Sequence, residues 1–349
     1  MITLGIDAHK RTHTVVAVDD AGRQLGVRTT VATTTEEHLA LIRWSEQFGE
    51  TRLFAVEDCR HLSRRLEADL LAAGEKIVRV PPKLMAHARD AARTYGKSDP
   101  IDALAVARAA MRHPDLPAAQ LDGASRELRL LVDHREDLVN ERTRVLNRLR
   151  WHLHELDPLW DPPAGWLSRL IRLDQVAERL KTFDGTVARI ARELVERARA
   201  ITVQERALTR EISSLVATVA PNLLAMPGVG PLIAAKIVGE VADIRRFKSK
   251  DAFARHNGTA PLPVWSSNTE RFRLSRTGNR QLNCALHRIA LTQARYHEEA
   301  IIFLARRRDM GNTGPEARRA LKRKLSDVVF RKLLLDASEA PSVTLELAA

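Results

Sequence analysis

Cysteine is scarce in this 349-residue chain: Cys59 and Cys284 are the whole supply. They fit no disulfide framework and no zinc-ligand spacing, which excludes a disulfide-stapled scaffold and suits a reducing, cytoplasmic setting. Long apolar runs are missing too. No stretch approaches the roughly 20 residues that a membrane-crossing helix needs, and the opening MITLGIDAHK reads as a strand rather than a signal peptide. Aromatic residues make up only 4%, so stacking on many single-stranded bases is not the expected binding mode. Acidic residues are outnumbered 44 to 56 by basic ones, leaving a formal net charge of +12. Such an excess favours a polyanionic partner, nucleic acid first. Arg supplies most of it, and its planar fork suits phosphate.

The chain is long enough for two or three domains. Three short β-rich runs open it, at 2–6, 13–18 and 24–31, separated by tight turns, and they read as an antiparallel meander. Thr34 followed by Glu37 is a capping-box signature for a helix to about Phe48, with Leu39, Ile42 and Trp44 among its apolar positions. A buried strand, LFAVE, ends on Glu57; a helix over about 61–73, a strand at 76–80 and helical segments at 83–93 and 100–112 follow. The order βββ-α-β-α-β-α is that of the α/β RNase-H and RuvC-like fold. Beyond it, 125–156 reads as one long helix, with Leu131, Leu138 and Val145 recurring every seven residues and Leu128, Leu149 and Leu156 on a neighbouring line. That is a coiled-coil pattern, interrupted by Arg135, Arg142 and His152. A second helical stretch, 184–219, can pack on it as an antiparallel hairpin or pair with another subunit. The expected division is 1–115, a RuvC-like domain; 120–220, a helical coiled-coil linker; and 221–340, a mainly α domain whose residues 258–279 read as loop.

Two-metal phosphoryl transfer needs several carboxylates at one spot, because hard oxygen ligands hold Mg2+ or Mn2+. Asp7 ends the first strand, Glu57 ends the fourth, and Asp99 and Asp102 sit three apart at a helix start. Each has a plainer reading. Asp99 before Pro100 suits an N-cap, with Asp102 closing a capping box. Asp7 suits a turn and Glu57 a solvated surface, and Asp58 is a rival to Glu57. All four in order on the right elements favour a metal site.

Further on, Pro227-Gly228-Val229-Gly230 between two apolar helical stretches resembles a helix-hairpin-helix, in which Gly228 and Gly230 would let backbone amides approach a phosphate. The alternative is an interhelical turn without a ligand. Ser266 and Ser267 lie in a segment with Arg271, Arg273, Arg276, Asn279 and Arg280. Spacing alone reads this as a solvated serine loop with phosphate-binding arginines, since no base or third group marks a triad.

Taken together, Gly5-Ile6-Asp7-Ala8-His9-Lys10, Val56-Glu57 and Lys97-Ser98-Asp99-Pro100-Ile101-Asp102-Ala103 resemble the DEDD motif of the bacterial insertion-sequence one-ten family of transposases, which also takes in relatives of the pilin-gene inverting recombinases. Pro227–Gly230, Asn257-Gly258-Thr259-Ala260-Pro261, the serine pair and Arg276-Thr277-Gly278-Asn279-Arg280 resemble its C-terminal part. The resemblance implies a transposase or site-specific recombinase in which Asp7, Glu57, Asp99 and Asp102 bind metal and a serine attacks DNA to form a phosphoserine link. It also implies guidance by a bridge RNA and dimers that meet as a tetramer. Ser267 is the implied nucleophile. Asn268 stands where the family commonly has glycine, which keeps Ser266 open as the alternative. Two other functions fit the residues: a RuvC-like nuclease or junction resolvase that uses water, and a non-catalytic DNA- or RNA-binding protein.

Overall fold

The structure is a computed structural model that describes residues 1–57, 62–81, 84–85, 98–114, 116, 118–119, 123–163, 165–266, 269–273 and 278–339. The chain forms two compact units, Met1–Leu121 and Asp122–Ala349. No helix of the described residues is long and apolar enough to cross a membrane.

The first unit is built on a five-stranded sheet of order β3-β2-β1-β4-β5. Its strands are β1 (Ile2–Ala8), β2 (His13–Val18), β3 (Gln24–Thr29), β4 (Arg52–Glu57) and β5 (Ile77–Val80). The first three form an antiparallel meander. β4 and β5 add in parallel beside β1. Near-continuous apolar runs in β1, β2 and β4 are what a sheet covered on both faces requires; β1 and β2 are buried through nearly all their length and β4 at Phe54, Ala55 and Val56. β3 alternates and is mostly exposed, as an edge strand does. Order and pairing are those of an RNase-H-like sheet, as the sequence predicts.

Helix α1 (Thr35–Glu46) is capped by Thr34, whose hydroxyl accepts from the Glu37 amide at 3.4 Å. The reciprocal bond of a capping box is displaced: the Glu37 carboxylate accepts from the Val31 amide at 3.3 Å. Leu39, expected inside, faces solvent, while His38 and Ser45 take buried positions. After α2 (Arg64–Ala72), the next described helix is α3 (Asp99–Arg112). Its buried face is nearly all alanine: Ala103, Ala105, Ala107, Ala109 and Ala110 with Val106. Small side chains let its backbone lie against β1 and β2. A Cβ placed on Gly5 would stand 2.1 Å from the Ala103 carbonyl oxygen and 2.4 Å from the Ala107 amide nitrogen. Only glycine admits this approach.

The second unit is helical apart from one hairpin. It contains α4 (Ala124–Leu156), α5 (Leu170–Leu180), α6 (Gly185–Val219), α7 (Pro221–Leu224), α8 (Pro231–Val241), α9 (Lys250–His256), α10 (Arg280–Tyr296), α11 (Glu298–Asp309) and α12 (Gly314–Glu339). The long helices α4 and α6 run antiparallel within one chain. Leu149 and Leu153 meet Ala191 and Val195 in one core, and Leu128 and Val132 share another with Ile212 and Val216. Burial follows the heptad lines in part: Leu138, Leu128 and Leu149 are buried and Leu131, Val145 and Leu156 are partly covered, while Val132 and Leu153, off both lines, are buried too. The arginines that interrupt the heptads have a partner. Arg135 and Arg142 both pair with the buried Glu205 of α6. The larger core runs on into α8, α10 and α12, so the expected middle and C-terminal domains fall in one unit.

Two helices and one hairpin differ from expectation. α5 and α11 were not foreseen, because α5 follows a proline-broken stretch and α11 buries only Ala300 and Leu304. Within 258–279, β6 (Leu262–Ser266) and β7 (Thr269–Arg273) form an antiparallel hairpin instead of loop. Val264, Trp265, Thr269 and Phe272 are strand formers that outweigh the flanking Gly and Pro.

Candidate active site

Asp7 is the last residue but one of β1 and His9 the first residue past it, and their side chains meet. The His9 amide donates to the Thr12 carbonyl at 3.0 Å, closing the turn into β2. On the other side, β4 pairs in parallel through Ile6–Val56, and one step further brings Glu57 level with Asp7. The close seat of α3 on Gly5 delivers Asp99 and Asp102 from its first turn. Asp7, Asp99 and Asp102 thus come from β1 and α3 to one end of the sheet, with Glu57 at the neighbouring end of β4; the close grouping of ligand atoms takes in Asp7, His9 and Asp99, not Glu57 or Asp102.

His9 Nε2 lies 3.1 Å from Asp7 Oδ2 and 3.4 Å from Asp99 Oδ1. Ligand atoms of Asp7, His9 and Asp99 all fall within 4.8 Å of one another, the one such grouping among the described residues. Asp7 and Asp102 are buried, Asp99 is exposed and Glu57 is half-buried. Burial pushes the Asp7 carboxyl above its ordinary value; His9 draws it down, and the charges of Asp102 and Asp99 push it up again. Hard oxygen donors packed at mutual repulsion fit a divalent cation.

The capping alternative for Asp99 does not hold. Ser98 is the N-cap; its backbone carbonyl accepts from the Ile101 and Asp102 amides, and Asp99 is the first helical residue. The Asp99 carboxylate turns to His9 instead. Asp58 lies outside the described residues.

In the second unit Ser266 closes β6 and pairs with Thr269, while Arg271 and Arg273 belong to β7. Ser267, Asn268 and Arg276 lie outside the described residues. Arg280 is exposed at the start of α10. Asn279 has a structural task. Its Oδ1 caps α10 by accepting from the Gln281 and Leu282 amides, at 2.9 and 3.0 Å, and its Nδ2 donates to Glu240 at 2.6 Å. Those bonds commit its amide within the protein; an asparagine just before a helical run is the signal for that role. Gly228 has φ +80°, and a Cβ there would press on Gln293 and Ile289 of α10. The neighbouring Pro227 carbonyl accepts from Gln293 Nε2 at 2.6 Å. Gly228 thus packs against α10, whereas Gly230 opens to free space at the start of α8.

A bracket of polar groups, missed from sequence, holds the base of the β6–β7 hairpin. The fully buried Asn257 donates to Ser326 and accepts from Thr259. Asn283 donates to the carbonyls of Asn257 and Gly258, and Lys322 donates to Asn283. Gly278 lies against the Gly258 backbone, so near that a Cβ would stand 2.3 Å from the Gly258 nitrogen. Asn257–Thr259 and Gly278–Asn279 are the two sides of this joint.

Comparison with known proteins matches both units of the chain. A family model described as "Transposase" matches residues 4–158, and one described as "Transposase IS116/IS110/IS902 family" matches residues 220–304. Together they take in about two thirds of the chain. The 44.8 kDa protein of insertion element IS116 from Streptomyces clavuligerus is 28% identical, covering 95% of this chain and 94% of its own length. The 42 kDa protein of IS900 from Mycobacterium paratuberculosis is also 28% identical, covering 97% of each. The 43.6 kDa protein of IS110 from Streptomyces coelicolor is 26% identical, covering 95% and 94%. Among solved structures, Thermus thermophilus RuvC in complex with Holliday junction substrate matches at 18% identity and a TM-score of 0.26, covering 33% of this chain and 94% of that one. Strand order and register, not that score, carry the fold. With the acidic corner in place and both halves matched, this chain belongs to the DEDD-type IS110 family of transposases, enzymes that act on DNA.

Proposed function

We propose that this chain cleaves and rejoins DNA strands to move an insertion sequence, with Asp7, Glu57, Asp99 and Asp102 holding Mg2+ or Mn2+ and Ser267 attacking the DNA. The observation that carries the reading is the convergence of Asp7 and Asp99 around His9, with Asp102 near enough to raise the Asp7 carboxyl. A bound divalent ion would supply positive charge to the oxygens of the reacting phosphate. The serine hydroxyl gives up its proton and bonds to phosphorus. One phosphorus–deoxyribose oxygen bond breaks, and that oxygen leaves as a hydroxyl. DNA is left esterified to the protein, and a DNA hydroxyl later reverses the exchange. Arg271, Arg273, Arg276 and Arg280 are assigned to charge on the phosphate.

The resemblance and the net charge of +12 support two further parts of the reading: a bridge RNA that pairs with donor and target DNA, and dimers that meet as a tetramer. Gly228 and Gly230 are assigned to backbone contact with nucleic acid, with Gly230 the better placed.

The test is a nicked suicide DNA substrate carrying an element end, incubated with co-purified RNA and Mg2+. The expected result is an SDS-stable protein–DNA adduct that Ser267→Ala and Asp7→Asn each reduce by on the order of 1,000-fold or more. Cleavage without an adduct, or full activity with both serines replaced by alanine, overturns the serine reading in favour of a water-using nuclease. Function that survives Asp7→Asn overturns both enzyme readings.

A further inference from the structure

We propose that His9 is itself a ligand of the divalent cation, a nitrogen donor among the carboxylates, and that the site accordingly prefers Mn2+ to Mg2+. The inference rests on the reading that Asp7 and its neighbours hold a metal.

Three observations carry it. First, His9 stands in a defined turn. It is the first residue past β1, two from Asp7, and its amide is tied to the Thr12 carbonyl across that turn. Second, the spacings suit a coordination shell. With metal–ligand bonds of about 2.1 Å, adjacent donors of an octahedron stand about 3 Å apart and opposite ones about 4.2 Å. His9 Nε2 is 3.1 Å from Asp7 Oδ2 and 3.4 Å from Asp99 Oδ1, and the three ligand atoms all lie within 4.8 Å. Third, Nε2 aims between a buried carboxylate on the strand and an exposed one on the helix, the place an ion bridging the two elements would occupy. The ring is about half exposed, so it can shift by the few tenths of an ångström that ligation needs.

Ligand chemistry then sets the choice of ion. Mg2+ takes oxygen donors and keeps its waters, whereas imidazole suits first-row transition ions. A histidine that only bridges two carboxylates by hydrogen bonds would turn away once an ion arrives and leave no mark on ion preference.

The probes are Mn2+ and Mg2+ themselves, with the full chain. Pulsed electron paramagnetic resonance of the Mn2+-loaded protein reads nitrogen coordination directly, and calorimetry reads both affinities. Wild type is expected to show 14N modulation. His9→Ala is expected to lose it and to bind Mn2+ at least about tenfold more weakly, with Mg2+ affinity changed less than about threefold. Asp7→Asn is expected to lose both ions. Two results overturn the role of His9 while leaving the carboxylate site intact: bound Mn2+ without 14N modulation in wild type, or modulation that survives His9→Ala. Mn2+ binding that survives Asp7→Asn overturns the carboxylate site, and the role of His9 with it.

Discussion

Acidification from pH 7 to pH 4 is expected to loosen the Met1–Leu121 unit through one residue, His13. It sits in β2 with no exposed surface, and neither ring nitrogen has a hydrogen-bond partner. Its ring centroid is 5.3 Å from that of His38, whose Nδ1 bonds to Asp69 Oδ2 at 2.5 Å. Burial is the main cause that lowers its pKa from 6.5 to about 4, with the charges of His38 and then His9 adding to it. The unfolded chain takes up this proton near 6.5 and the folded chain only near 4. Between those values the unfolded state binds more protons, so stability is fully present above 6.5 and falls as pH drops through the window. At about 1.4 kcal/mol per pH unit the loss amounts to about 3 kcal/mol. Hydrogen exchange of the β2 amides in the full chain, in EDTA and corrected for intrinsic rates, gives the opening free energy at each pH. His13→Leu keeps the volume and removes the proton site. Wild type is expected to lose about 3 kcal/mol more than the variant between pH 7 and pH 4. Parallel pH profiles for the two proteins would refute the assignment.

Two glycine substitutions test the packing that places the sites. Gly5→Ala drives a methyl into the Ala103 carbonyl and the Ala107 amide, so it is expected to lower stability by about 2 kcal/mol or more and to abolish Mn2+ binding in calorimetry. Gly278→Ala separates the two sides of the hairpin joint; it is expected to abolish the covalent DNA adduct while Mn2+ affinity stays at the wild-type value.

The first unit was legible because its signals are local and agree. Buried apolar strands, a short meander and a capping threonine each point to one arrangement, and the strand order follows from them. What the sequence placed correctly was the position of Asp7 near the end of β1, Glu57 at the end of β4 and Asp99 and Asp102 in the first turn of α3. His9 was in view as part of the motif, yet its role depends on distance to Asp99, which only the close seat of α3 creates. The sole sequence cue was its spacing of two from Asp7. In the second unit, periodicity gave part of the packing. Leu128, Leu138 and Leu149 are buried as the heptad lines suggest, Val132 and Leu153 are buried off them, and two apparent interruptions serve the Glu205 ion pairs. Helix α11 buries too little to announce itself. Asn279 shows the limit of reading motif residues as ligand contacts: a helix-capping asparagine beside arginines looks like a phosphate contact until its amide is traced.

The acidic corner is costly to the metal-free protein, and the proposed metal site gives that cost a use. Burial, Asp102 and Asp99 all raise the Asp7 carboxyl, against the opposing pull of His9. A carboxyl raised in the folded state contributes stability at low pH and loses it as pH rises through its folded pKa. The ionised Asp7 therefore works against folding at neutral pH. The cause is the approach of α3 to β1 at Gly5, since that approach buries Asp7 and brings Asp99 and Asp102 to it. Amides of the same size at Asp7 and Asp99 would remove the repulsion and keep the volume, at the loss of the contacts with His9. A divalent cation reverses the sign, because charges that repel in its absence become its ligands. The same glycine contact thus makes the unit less stable alone and more able to hold an ion, which is the arrangement expected of a site selected for binding rather than for stability.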